Sequence, residues 1–444
     1  MTRAIQSAFF VCLFGLMSGA RSADLFDLYQ EARVSDTSYA AARALWAAAQ
    51  ERIPQARAGL LPLASLSASA QHNDRSTRFR DTTLPRTSAD FASTSLSLSV
   101  TQPIYRSQNA VVYQQAITQV AQADAQLALA AQDLLLRVAQ GYFDVLLAQD
   151  GVAFAEAQKT AIAQQLQQAK RNFEVGSATI TDTHEAQARY DLTAAQEIAA
   201  RNDLELRRRA LEQVIGRGAP PLSPLGRLFT LKSPAPANME PWVELARSGN
   251  LQVRVRQSGL TLATQEILRT RAEYYPTLDA FATVSASGNG PAANDRVRSD
   301  TRSTVFGVQL AVPLYQGGAI SSRVRESISS EDRARHELEG ARRTAEFSAR
   351  EAFLGITNGS AQVQALEAAL VSTQSQLSST QLGQKIGVRT QVDVLNAQQQ
   401  LFSARRELAA AKYAYILSLL RLEAAIGELT DDDLMAVNQW LGPD

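Results

Sequence analysis

The sequence of 444 residues contains one cysteine, three histidines and only 7% aromatic residues. A lone Cys12 excludes a framework of intrachain disulfides. His72, His184 and His336 are scattered, none has a second ligand at metal spacing, and neither His184-Glu185 nor His336-Glu337 continues into a zincin motif. Phosphate loops and nucleophile elbows are also missing, so no catalytic residue, cofactor or metal is expected. Charge of one sign is not in excess: 44 Lys and Arg balance 44 Asp and Glu. That balance excludes a nucleic-acid binder relying on bulk positive charge. Past the amino-terminal segment there is no unbroken run of about 18 apolar residues, as a membrane helix requires. Any contact with a membrane must then be made by strands. Scarce aromatics and abundant alanine give little core volume, which points to long packed helices and not to compact globules.

The amino-terminal segment has the layout of a secretory signal peptide: Arg3, an apolar run from Ala8 to Met17, then Ser18-Gly19-Ala20. Cleavage after Ala20 puts Ser18 and Ala20 at the recognised positions; cleavage after Ala23 would put Arg21 at a disfavoured one. Cys12 lies inside the apolar run, too early to carry a lipid anchor, so the mature chain is expected to lack one.

The chain is also duplicated. Gly176, Asp182, Ala186, Ala200, Leu206, Leu211, Glu212, Ile215 and Gly216 recur 211 residues later as Gly387, Asp393, Ala397, Ala411, Leu417, Leu422, Glu423, Ile426 and Gly427. Arg57-Ala58 and Pro62 recur at an offset of 214, and Pro103 and Tyr105 at 210. The change of offset falls around two polar stretches, His72–Asp90 and Gly288–Ser303, read as loops because loops tolerate changes of length. The organisation expected is a signal peptide (1–20), a first repeat (21–216), a proline-rich connector without regular structure (217–241), a second repeat (242–428) and a tail (429–444). Three aspartates from Asp431 read as a helix start in preference to a calcium site.

Both polar stretches are flanked by segments of period two. Leu96, Leu98 and Val100 alternate with Ser95, Ser97 and Ser99, while Phe306, Val308, Leu310 and Val312 alternate with Gly307, Gln309 and Ala311. With the partner segments Leu63–Ala70 and Thr277–Ala286, these predict two hairpins of strands about 9–11 residues long, enough to span a bilayer when tilted. Edge hairpins of a soluble sheet would show the same alternation. Ser107–Phe173 and Ala319–Lys385 are free of proline and rich in helix formers. Each predicts a helix on the order of 100 Å long, after which a glycine turn sends a helix of about 35–40 residues back. In the second half Val394, Leu401, Leu408, Tyr415 and Leu422 stand seven apart beside Ala397, Ala404, Ala411, Ser418 and Ala425, the seam of an antiparallel coiled coil with one large and one small residue per heptad. The first half is less regular, with Glu197 and Arg207 on the corresponding stripes.

Four strands cannot close a membrane barrel, because open edges in lipid leave backbone groups unsatisfied. Several chains must share one. Two would give eight strands and a filled interior; three would give twelve and a lumen, which the Ser-rich inner faces favour. The fold class expected is a mixed α/β membrane protein, mostly α, with long antiparallel coiled coils and four strands per chain.

Glu174–Asp182, Lys385–Ala397, Tyr274-Tyr275-Pro276, Val312–Gly318, Tyr413-Ala414-Tyr415 and Gly427-Glu428-Leu429 together resemble the TolC family of outer-membrane efflux and secretion channels, nearest to its non-lipidated members. The resemblance covers essentially the whole mature chain. It implies a homotrimer in outer-membrane lipid, with a twelve-stranded barrel continued by a helical tunnel through the periplasm to a closed tip. It also implies two partners, a periplasmic adaptor (membrane fusion) protein and an inner-membrane ABC or RND transporter. Energy then comes from the transporter, and the cargo is secreted protein, drugs or both. A barrel-anchored trimeric coiled coil serving as a structural or adhesive surface protein is the rival reading.

Thr179-x-x-Asp182 and Thr390-x-x-Asp393 read as caps at helix starts. In a trimer, three copies of Asp393 near a narrow tip would also make a carboxylate ring that attracts cations. The resemblance implies that Asp393 lines the periplasmic entrance, that Arg389 is a gate latch with Thr181 and Asp182 as its partners, and that Val175, Gly176, Ile386 and Gly387 form the turns an adaptor grips. Two positions depart from the family pattern: Asn396 stands where a second acidic ring is expected, and Gln384 where a tyrosine joins the latch. An ordinary surface pair at Arg389, and glycines serving only the turns, are the plainer readings.

Overall fold

The computed structural model describes residues 23–80, 86–226, 228–290 and 298–442. The signal segment 1–20 lies outside them. Each proline-free run is a single helix: α4 (Ser107–Glu174) and α8 (Ala319–Lys385) have 68 and 67 residues. Their return helices, α5 (Ile180–Ile215) and α9 (Gln391–Ile426), have 36 residues each. Before them stand α1 (Leu25–Ser35), α2 (Thr37–Gln50) and α3 (Arg52–Ala58) in the first half, and α6 (Glu240–Gly249) and α7 (Leu251–Arg271) in the second. A short α10 (Asp431–Asn438) closes the chain, its start capped by Thr430 and Asp433. No helix among the described residues is long and apolar enough to cross a membrane.

The strands β1 (Leu63–Thr77), β2 (Thr87–Tyr105), β3 (Thr277–Asn289) and β4 (Ser299–Ala311) form one antiparallel sheet in chain order. At 13 to 19 residues they exceed the expected length. Of the stretch His72–Asp90, read as a loop, the described residues are largely ladder: His72 pairs with Ala92 and Thr77 with Thr87. The described ends of Gly288–Ser303 are ladder too, Gly288 pairing with Asp300 and Asn289 with Ser299, while 81–85 and 291–297 lie outside the described residues. Beyond the apolar band both faces of a strand meet water, so alternation disappears while backbone pairing continues. Register then fixes the faces. Leu66, Leu98, Val284 and Thr304 form one cross-strand row, and Ala64, Val100, Ala282 and Phe306 the next, on the apolar face. Ser67, Ser97, Ser285 and Ser303 form a row on the other face, where hydroxyl pairs join Ser65 to Ser99 at 2.8 Å and Ser69 to Ser95 at 2.9 Å. Strands β1 and β4 are the edges, with no strand partner among the described residues.

Toward the sheet, α2, α4, α7 and α8 pack side by side; toward the interhelical turns the order becomes α5, α4, α9, α8. The main core lies between these ends, where α1, α10 and the connector wrap α4 and α9 and bury Leu134, Tyr142, Phe143, Ile356 and Ile416. The five large seam residues of α9, from Val394 to Leu422, are all buried as the heptads required. In the α4/α5 coil a charge sits on the seam, and it is matched: buried Glu197 pairs with Lys159 at 2.7 Å and Arg201 at 2.6 Å. Those bonds hold its carboxyl below the usual range. Arg207 instead reaches outward to Asp144 and Asp203. Toward the turns the core thins to small clusters such as Leu377, Val394, Ala397 and Leu401, or Leu166, Ala169 and Ala186.

The connector is tied down by Tyr415, whose hydroxyl donates to the Lys232 carbonyl at 2.6 Å and accepts from the Lys232 N–H at 2.7 Å. Replacing Tyr415 by Phe leaves two backbone groups unpaired and is expected to cost about 1–3 kcal/mol. A fall in the thermal midpoint of the solubilised protein would show it; an unchanged midpoint would mean that water replaces the hydroxyl.

Candidate functional site

The two interhelical turns are built alike, residue for residue, at the 211-residue offset. In each, the helix ends in a glycine of positive φ, Gly176 at 74° and Gly387 at 79°. In each, a Schellman bond returns to the last turn: Ser177 N–H to Asn172 O, and Val388 N–H to Gly383 O, both 2.8 Å. A side chain at either glycine would meet no neighbouring atom, so the backbone conformation alone demands glycine. The turns present apolar side chains outward, with Val175 77%, Ile386 69% and Val388 73% exposed.

Both return helices open with the expected capping box. The Thr179 N–H and hydroxyl donate to the Asp182 carboxylate at 3.0 and 2.8 Å, and the Thr390 N–H donates to Asp393 at 2.9 Å. The Asp393 carboxyl is held below its ordinary value of 3.8 by the Thr390 backbone N–H first, then by the Thr390 hydroxyl and by the charge of Arg389. A carboxylate with a lowered value stabilises the folded state above the ordinary value, and the contribution is lost as pH falls through the folded one. Amide protection in the first turn of α9 is therefore expected to hold from neutral pH down to about pH 4 and to drop below it. Hydrogen exchange, corrected for intrinsic rates, would show this, and Asp393→Asn should abolish the dependence.

Arg389 folds its stem over Gly383, where an added Cβ would lie 2.8 Å from the Arg389 Cγ. Within the chain, no ion pair among the described residues joins Arg389 to Asp182, and Thr181 is exposed. The structure thus brings Arg389 and Asp393 together on one hairpin and leaves Thr181 and Asp182 on the other.

Residues that sequence reasoning missed connect the two coils. Gln384, at the departure from the family pattern, donates its amide to Gln391, and Gln391 donates to Gln165 on α4. Arg189 on α5 reaches Asn396 and Gln399 on α9. Glutamines are abundant all along these helices, and nothing in their spacing marks the few that meet across coils. No group of three or more His, Cys, Asp or Glu side chains among the described residues could hold a metal ion.

A sheet apolar on one face and serine-lined on the other, unclosed at both edges and carried on helices of this length, defines the protomer of an oligomeric outer-membrane channel. The Outer membrane efflux protein family model matches residues 28–217 and 242–428. Outer membrane protein TolC of Vibrio cholerae is 34% identical over 428 residues, covering 96% of this chain and 95% of the relative. Alkaline protease secretion protein AprF of Pseudomonas aeruginosa is 31% identical over 449 residues, covering 98% and 91%. The Campylobacter jejuni CmeC outer membrane channel superposes with a TM-score of 0.80 at 14% identity, covering 99% of this chain and 98% of that one. The chain belongs to the outer membrane efflux protein family. It is an outer-membrane exit duct of the efflux and type I secretion kind.

Proposed function

We propose that three copies of the chain form a gated passive pore, opened when partners dock on its turn end. The carrying observation is the sheet whose two edges, β1 and β4, have no strand partner among the described residues. On this reading β4 of one copy pairs with β1 of the next, and three copies close twelve strands around the serine-lined face. The flanking helices support the same neighbour relation. Leu192, Ile198 and Leu206 on α5, and Phe347, Leu354 and Val371 on α8, are exposed apolar side chains on the two outer flanks of the chain. Packed against the next copy, they would complete a continuous helical wall.

At the closed end, Arg389 pairs with Thr181 and Asp182 of the adjoining coil as a latch. Asp393 supplies a single carboxylate ring, Asn396 adding none. The apolar turns at Val175, Gly176, Ile386 and Gly387 receive a periplasmic adaptor, which links the duct to an inner-membrane transporter that supplies the energy. Protease secretion named for AprF, and for PrtF of Dickeya chrysanthemi at 31% identity, supports secreted protein as one cargo. Comparing the secreted proteome and the drug susceptibility of a deletion strain separates that cargo from small molecules. The pore itself is tested by single-channel recording of the purified oligomer in a planar bilayer. A small, stable, cation-preferring conductance is expected, and a folded oligomer that conducts nothing would sink the reading.

A further inference from the structure

We propose that Arg189 is a positioning residue of the gate, an intrachain clamp that holds the α8/α9 coil against the α4/α5 coil. This inference rests on the gated-pore reading above. Arg189 lies two turns into α5, and its guanidinium spans the gap to the other coil with both ends engaged. Nη2 donates to the Asn396 Oδ1 at 2.9 Å, and Nη1 donates to the Gln399 Oε1 at 3.1 Å. Asn396 and Gln399 are three apart, so they project from one face of α9 and offer two acceptors at the spacing of the planar fork. Glu185, one turn earlier on α5, braces the guanidinium at 3.5 Å.

The surroundings make this contact matter. Helices α5 and α9 otherwise barely touch, and the seam nearby is poorly satisfied: Gln398 Oε1 and Thr183 Oγ1 are buried without a hydrogen-bond partner among the described residues. The apolar clusters there stay within each coil, Leu377, Val394, Ala397 and Leu401 in one and Leu166, Ala169 and Ala186 in the other, so the two amide bonds of Arg189, together with the Gln391–Gln165 bond, are the main hold. Their position also sets their effect. Asn396 is one turn beyond Asp393, so the clamp fixes the segment of α9 that carries the carboxylate at the tip. Both acceptors are neutral amides, and the Arg189 guanidinium is partly exposed and stays beside Glu185, so breaking the bonds leaves no buried unpaired charge. A docked partner that draws the α8/α9 coil outward breaks them by translation alone. The clamp acts within one chain and the Arg389 latch between coils of adjoining chains, so the two hold the tip independently.

The experiment is planar-bilayer recording of the full-length oligomer as wild type, Arg189→Ala, Asn396→Leu, Arg389→Ser and the pairwise doubles, each first checked for heat-resistant oligomer on gels. Arg189→Ala is expected to raise the conductance at least twofold. Asn396→Leu, which removes the contact from the other helix, should raise it similarly, and joining the two should add little. Arg189→Ala with Arg389→Ser should exceed either alone. Arg189→Lys, which keeps the charge and one bond, should recover part of the closed state. A wild-type conductance for Arg189→Ala beside a raised one for Arg389→Ser overturns the clamp and leaves the gated pore standing. Wild-type conductance in both variants overturns the clamp and the latch together. An additive Arg189→Ala/Asn396→Leu double also overturns the clamp, because the two residues would then act separately.

Discussion

Arg389→Ser is expected to raise the single-channel conductance severalfold and to leave the oligomer intact. An exposed Arg–carboxylate pair is worth only about 1 kcal/mol, but three of them at one constriction, as the proposed latch requires, would break together when the tip dilates. Their loss shifts the closed-to-open balance by about 3 kcal/mol, on the order of a hundredfold. The serine is expected to disturb little else, because the turn at Gly387 and the Thr390–Asp393 cap are made by other groups. Equal conductance in variant and wild type would keep the duct and remove Arg389 as its latch.

The second large effect lies at the other end of the molecule. Val308 faces outward on β4, in register with Ala280 and beside Phe306 and Leu310. An arginine near the midplane of the bilayer costs about 2–4 kcal/mol, and a trimer carries three, a total comparable to the roughly 5–15 kcal/mol that stabilises a typical folded protein. Val308→Arg is therefore expected to abolish heat-resistant oligomer in outer membranes. Ser97→Arg, in the serine row of the opposite face, is expected to assemble, since a water-filled lumen solvates the charge. If Ser97→Arg failed and Val308→Arg assembled, the faces assigned to lipid and lumen would be reversed.

These predictions draw unequally on what could be read from the amino acids. Long helices were legible because proline is missing over whole runs and because Val394 to Leu422 repeat every seven residues, both local properties. Glycine turns and caps were legible twice over, since duplication showed the same Gly and Thr-x-x-Asp in both halves. Strand faces followed from alternation, but strand ends did not. From His72 to Thr77 the side chains carry no period, and only the ladder to Thr87–Ala92 reveals them as strand. Connections across coils were the least legible part. Arg189 and Asn396 are 207 residues apart, and a neutral amide gives no charge pattern from which to guess its partner. Glu197, which broke the heptad on paper, proved compatible with the seam because Lys159 stands opposite it.

The thinning of the core toward the turns has a mechanical meaning. The last of the thickly packed residues on α4 is near Leu146 and the turn is at Val175, so a stiff arm of about 44 Å projects beyond its anchorage, at about 1.5 Å per residue. A tilt of about 10° at the anchorage would carry its end sideways by roughly 7–8 Å, by the same helix geometry. In the proposed gated pore, leverage of this kind would let a modest repacking at the foot of each arm widen the tip, with every helix keeping its own hydrogen bonds throughout.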